Sequence, residues 1–106
     1  MIIVNSLRKK INIEGKELSY SYNLIKTSKG GQEVYGIEVE RADYINDIAI
    51  NVEKNSVNII SPNEDKVRVL LEKLYRYEVS PIHLIDIIGE DVDKCVNDFD
   101  KVFCMS

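Results

Sequence analysis

At 106 residues the chain has the length of one domain, and 44% hydrophobic with 30% charged residues is a globular composition that excludes disorder. A formal net charge of -4, with basic residues scattered among acids, excludes the continuous basic face that nucleic-acid binding needs. No apolar run approaches the roughly 20 residues of a membrane-spanning helix, and Met1-Ile2-Ile3-Val4 precedes the first basic residues, the reverse of a secretory leader. The expectation is a cytoplasmic protein with Cys95 and Cys104 reduced, a Cys95–Cys104 disulfide being the alternative.

Residues 2–13 carry Ile2, Ile3, Val4, Leu7, Ile11 and Ile13 and read as a strand broken near Arg8. Glu14-Gly15-Lys16 is a turn. From 17 to 27 the pattern alternates, with Leu18, Tyr20, Tyr22 and Leu24 on one side and Ser19, Ser21 and Asn23 on the other. Period two with polar residues opposite marks a strand buried on one face.

Ser28-Lys29-Gly30-Gly31 reads as a hairpin turn, because glycine supplies positive φ without steric cost. The next strand places Tyr35, Ile37 and Val39 inward, with Gly36 marking a bulge or a place where a larger side chain packs across it. Arg41-Ala42-Asp43-Tyr44 reads as a loop. Ile48, Ile50 and Val52 form a further alternating set, Lys54-Asn55-Ser56 a turn, and Val57 to Ile60 a short last strand.

Two Ser-Pro pairs then announce helices, since serine caps a first turn and proline is tolerated at its first position. Ser61-Pro62-Asn63-Glu64 reads as a capping box. Val67, Leu70, Leu71, Leu74 and Tyr77 follow at helical spacing. The second helix starts at Ser80 and stops at Gly89. Val92, Cys95, Val96, Phe99, Val102 and Phe103 suggest a third, with Glu90, Asp91 and Asp93 in its first turn.

The expected fold is α+β: an antiparallel sheet of four or five strands over about residues 2–60, packed on one face by two or three C-terminal helices at about 62–78, 81–89 and 91–103. The core comprises Leu18, Tyr20, Tyr22, Leu24, Ile37, Val39, Leu70, Leu74, Leu84 and Ile88. The segments Val34-Tyr35-Gly36-Ile37-Glu38-Val39-Glu40 and Val79-Ser80-Pro81-Ile82-His83-Leu84-Ile85-Asp86-Ile87-Ile88 resemble a family of small uncharacterised proteins from low-GC Gram-positive bacteria. That resemblance implies a fold neighbourhood and a bacterial cytoplasmic setting, and no mechanism. The tail from Asp93 lies outside it.

Chemistry-bearing residues are sparse. His83 is the one histidine, with Asp86 one helical turn on, a spacing that suits a carboxylate-oriented imidazole in a ligand or catalytic site. The structural reading has His83 capping Ser80 or filling a gap beside the sheet. One histidine and two distant cysteines do not make a zinc site, and the acids from Glu90 to Asp100 lack the order of a calcium loop. No metal and no cofactor are expected. Tyr20, Tyr22 and Tyr35 share the register of core residues, so they do not form a base-stacking face. Tyr75 and Tyr77 are candidates for an exposed aromatic interface, and Arg8-Lys9-Lys10 reads as a solvated strand end.

Three functions fit. The first is a non-enzymatic domain that binds an unknown protein partner. The second is a ligand-binding or catalytic domain using His83 and Asp86. The third is an acidic inhibitor of a nucleic-acid-binding protein, which requires Glu90, Asp91, Asp93, Asp98 and Asp100 to cluster on one flank. Neither nucleic acid nor membrane is expected as a partner. A homodimer through an edge strand or the third helix fits the pattern.

Overall fold

The computed structural model describes residues 2–95. Four long strands, β1 (Ile2–Ile13), β2 (Lys16–Lys29), β3 (Gln32–Ile45) and β4 (Ile48–Ser61), form one antiparallel sheet in the order β1-β2-β3-β4. They are followed by helix α1 (Glu64–Arg76), a single 3₁₀ turn at Pro81–His83, and helix α2 (Leu84–Lys94). This is the α+β architecture expected from the sequence.

The three hairpins share one solution. Glu14-Gly15, Gly30-Gly31 and Asn46-Asp47 are two-residue turns in which both residues have positive φ. That is the mirror-image turn whose twist matches the strands it joins. Glycine takes half of these positions without strain; Asn46 and Asp47 are residue types that tolerate the left-handed region.

Three expectations about the sheet are corrected. The break near Arg8 is absent; β1 is continuous and its one irregularity lies between Ile3 and Asn5. Arg41–Tyr44 is strand, not loop, because Asp43 pairs with Leu18 on one side and Asn51 on the other. Lys54-Asn55-Ser56 is strand rather than turn, because it pairs with Val39, Glu38 and Glu40 of β3. In all three places ladder pairing satisfies the backbone and overrides polar local composition. Gly36 does mark a bulge, with Tyr35 opposite Ser61 and Ile37 opposite Val57. What crosses it is backbone: a Cβ there would collide with the carbonyl oxygens of Val57 and Asn58.

Direct cross-strand partners share a sheet face, so the register assigns the two faces. Leu18, Tyr20, Tyr22, Leu24, Ile37 and Val39 lie on the roofed face and pack with Ile60 of β4 and Val67, Leu70, Leu71, Leu74, Leu84 and Ile88 of the helices. All ten residues expected in the core are buried. The open face carries a polar row across all four strands. Ser6 Oγ donates to Asn23 Oδ1 at 2.7 Å, Asn23 Nδ2 to Glu38 Oε1 at 3.4 Å, and Lys54 Nζ lies 3.5 Å from Glu38.

The helix starts differ from the capping-box reading. Ser61 ends β4, fully buried, and its Oγ accepts from the Asn63 N–H at 3.0 Å. Asn63 is the N-cap of α1, its Oδ1 accepting from the Asp65 and Lys66 N–H groups. Serine held in the last strand pair cannot also cap, so the role passes two residues on. Ser80 makes no side-chain cap bond either; Pro81–His83 forms the 3₁₀ turn and α2 begins at Leu84.

Gly89 does not stop the second helix, and the helix expected from 91 does not begin there. One helix runs from Leu84 to Lys94. Leu84, Ile88 and Cys95 are buried along one stripe with Val92, and a continuous buried stripe outweighs the roughly 1 kcal/mol that glycine costs a helix interior. The remainder of the expected third helix, to 103, and Cys104 lie outside the described residues.

The end of α1 is a six-residue cap that fixes the angle to α2. Glu78 takes φ 53, its N–H donates to the Tyr75 carbonyl at 3.3 Å, and the Val79 N–H donates to the Leu74 carbonyl at 3.1 Å. These two bonds define the Schellman motif. Lys9 reaches across from β1 to complete it, Nζ donating to the Tyr75 carbonyl at 2.8 Å and standing 4.2 Å from the Tyr75 ring centroid. So one member of the basic triplet is a tertiary cap for a helix C-terminus, where positive charge is favoured, not a solvated strand end.

Candidate functional site

The outer side of the 3₁₀ turn and α2 gathers the residues singled out in the sequence. Burial of Pro81, Leu84 and Ile88 turns Ile82, His83, Ile85 and Asp86 to solvent. Ile82 is 65% exposed and Ile85 52%. His83 Nδ1 lies 3.7 Å from Asp86 Oδ2, at the i, i+3 spacing the helix dictates, with both side chains mostly solvated. Beside them a hollow of about 260 Å³ is lined by Glu53, Lys54, Asn55, Pro81 and Ile82. Asn55 anchors its floor, Nδ2 donating to the Pro81 carbonyl at 3.1 Å. The structure thus brings His83 and Asp86 together on an open surface with an aliphatic surround.

The two tyrosines separate. Tyr75 packs on the core, edge-on to Tyr22 with ring centroids 6.1 Å apart. Tyr77 is exposed, next to Val69, Glu72, Lys73 and Arg76. Of the acids, Asp91 is drawn to Lys73 at 3.4 Å, while Glu90 and Asp93 are exposed; Asp98 and Asp100 lie outside the described residues. Among the described residues no group of three or more His, Cys, Asp or Glu side chains is placed to hold a metal ion. No described helix is long and apolar enough to cross a membrane.

Tyr22 carries a polar tip deep in the roof. Its hydroxyl donates to the Val79 carbonyl at 3.0 Å. Burial, then the neighbouring Tyr20 and Glu78, push its pKa well above the ordinary phenol value. It is a structural strut between sheet and inter-helix turn.

A second polar group sits where the helices end. Arg41 Nε donates to Asp43 Oδ1 at 2.9 Å and Nη2 to Oδ2 at 3.3 Å, a bidentate fork between residues two apart on β3. The fork holds the Asp43 carboxyl below the usual range against the opposing effect of burial, with weaker help from Asn51 and Lys16. The same hydrogen bond raises the Arg41 guanidinium. The pair is not legible in the sequence while 41–44 reads as a loop. The Arg-x-Asp spacing becomes a signal only once the segment is a strand, where i and i+2 share a face.

A family model described as a family of unknown function, DUF6514, matches residues 1–94. The chain belongs to this family. The DUF6514 match runs through the last residue of α2, so the family unit coincides with the sheet and its helical roof. No curated protein and no solved structure matches the chain.

Proposed function

We propose that this DUF6514 domain is a non-enzymatic, cytoplasmic protein-binding module whose contact surface is the outer side of the 3₁₀ turn and α2. The observation that carries the reading is the pair Ile82 and Ile85, more than half exposed on a short rigid element and flanked by His83 and Asp86. Two aliphatic anchors beside a polar pair match the anatomy of a protein interface, an apolar centre with a polar rim. The element is well held: Pro81, Leu84 and Ile88 are buried beneath it, so little ordering entropy is lost on binding. In this reading His83 and Asp86 give orientation and specificity rather than chemistry.

The test is site-specific photo-crosslinking in the native cell. A photoreactive residue at position 85 should give one discrete protein adduct, and the same residue at the exposed position 29, the end of β2, should not. The crosslinked protein, purified, should bind the domain, with Kd raised at least about tenfold, or about 1.4 kcal/mol, by Ile82→Glu. Adducts that are absent, or equal at positions 29 and 85, overturn the proposal.

A further inference from the structure

We infer that the groove between α1 and the end of α2 seats the chain's own C-terminal segment, residues 96–106, with Phe99 as its anchor. The groove has a volume of about 300 Å³ and is lined by Lys66, Val69 and Leu70 of α1 and by Asp91, Lys94 and Cys95 at the end of α2. It shares no residue with the Ile82–Ile85 surface proposed above.

Chain continuity selects the occupant. Cys95, the last described residue, is a wall of the groove, so the segment starts there. Phe99 is four residues on, at most about 14 Å away in an extended chain. A tether that short holds it beside the groove at an effective concentration on the order of millimolar, an advantage no separate protein has.

Side-chain period agrees. Ile88 and Cys95 are buried, and Val92 packs against the same core. The steps of four and three that join them continue in the sequence to Phe99 and Val102, the spacing of one apolar helix stripe. Both phenylalanines of the chain, Phe99 and Phe103, fall in this segment, and the described core holds neither. Phenylalanine is among the residue types most often buried. Size fits as well: about 300 Å³ is twice the ~150 Å³ that takes a benzene ring, leaving room for a neighbouring valine.

The groove is also complementary in charge. Lys66 and Lys94 make it basic, because its one acid, Asp91, is drawn to Lys73 at 3.4 Å. Asp98 and Asp100 stand on either side of Phe99 in the sequence. Carboxylates flanking an aromatic anchor suit an apolar groove rimmed by two ammonium groups. Val69 of α1 is 64% exposed, an aliphatic contact for the ring. Direction agrees too. Lys73, late in α1, meets Asp91, and Lys66, early in α1, shares the groove with Cys95, so a chain continuing past Cys95 follows α1 toward its start.

Nuclear Overhauser spectroscopy tests this on the purified full chain, labelled at valine and leucine methyl groups and at phenylalanine rings. The expected result is cross-peaks from the Phe99 ring to the Val69 methyls, with those methyls shifted upfield by the ring current. Phe99→Ala should remove both effects and leave the cross-peaks of the buried Leu71 and Leu74 in place, showing an intact fold. When chains labelled only on methyls are mixed with chains labelled only on rings, no such cross-peaks should appear, because the contact lies within one chain. Val69→Thr, which keeps shape and helix propensity, and Phe99→Ala should each lower the melting temperature, and the double variant should lower it by less than the sum. Absence of a Phe99–Val69 contact overturns the inference. So do cross-peaks in the mixed sample, which give the groove to a second copy's segment, and melting-temperature changes that simply add. None of these outcomes depends on whether the α2 surface finds its partner.

Discussion

Two residues concentrate the local energetics. Asp43 is a buried carboxylate whose main partner is the Arg41 guanidinium on the same strand. Its folded pKa lies below the unfolded value, so its contribution to stability is present above the unfolded pKa near 3.9 and is lost as pH falls through the folded value. Asp43→Asn should therefore cost about 1–3 kcal/mol at pH 7, the range for a hydrogen bond to a charged group. At pH 2–3 the gap to the parent should narrow. Urea titrations at the two pH values measure both; an equal loss at each would assign the effect to shape instead of charge. Gly36 is the second. Substitution by alanine places a methyl group on the carbonyls of β4, which are backbone and cannot rotate away. Gly36→Ala should cost about 3 kcal/mol or more, the upper end of overpacking, read by chemical denaturation.

Among the elements, α2 and the end of α1 make opposite demands on glycine. Gly89 lies inside α2, its φ is not left-handed, and a Cβ there would meet only Ile85 Cγ2 at an ordinary 3.8 Å. Gly89→Ala should stabilise by about 0.5–1 kcal/mol. A glycine that ended the helix would give the reverse sign, so a thermal melt of this one variant separates the sequence reading from the observed helix. Glu78 occupies the left-handed position where glycine is the usual residue. Its ion pair with Lys9, 3.6 Å and half exposed, returns little. Glu78→Gly should hold or raise the melting temperature, with the Schellman geometry retained; a clear fall would show that the Lys9 contact outweighs backbone strain. The edge strands protect themselves by a shared device: Asn5 Oδ1 accepts from the Ser6 N–H and Asn55 Oδ1 from the Ser56 N–H, each occupying a main-chain donor that a stray strand would seek.

At the scale of the molecule, stability rests on one seam between half a sheet and its roof. Leu74 and Ile88 are fully buried there. Alanine at either position should cost about 2–5 kcal/mol in urea denaturation, and because both sites lie in one cluster their costs should not simply add. The other half of the sheet face is where the chain departs from a closed globule, with extents of 57 × 24 × 18 Å.

Strand alternation, glycine turns and helical spacing are short-range signals, so the α+β class, the hairpins at Gly15 and Gly30-Gly31 and all ten core residues were legible in the sequence. Each is decided by side-chain period or backbone sterics within a few residues. The pairing of His83 with Asp86 was equally legible, being one turn of helix. Tertiary structure decided the rest. Whether 41–44 and 54–56 are strand depended on neighbours that satisfy their backbone, and whether Gly89 ends a helix depended on the stripe buried on both sides of it. Lys9 capping α1 joins residues 66 apart in sequence. Ile48, Ile50 and Val52 alternate as core residues do, yet Val52 pairs with Ala42 on the face away from the helices and the pairing shifts between Asp43 and Tyr44, and no local pattern records that register.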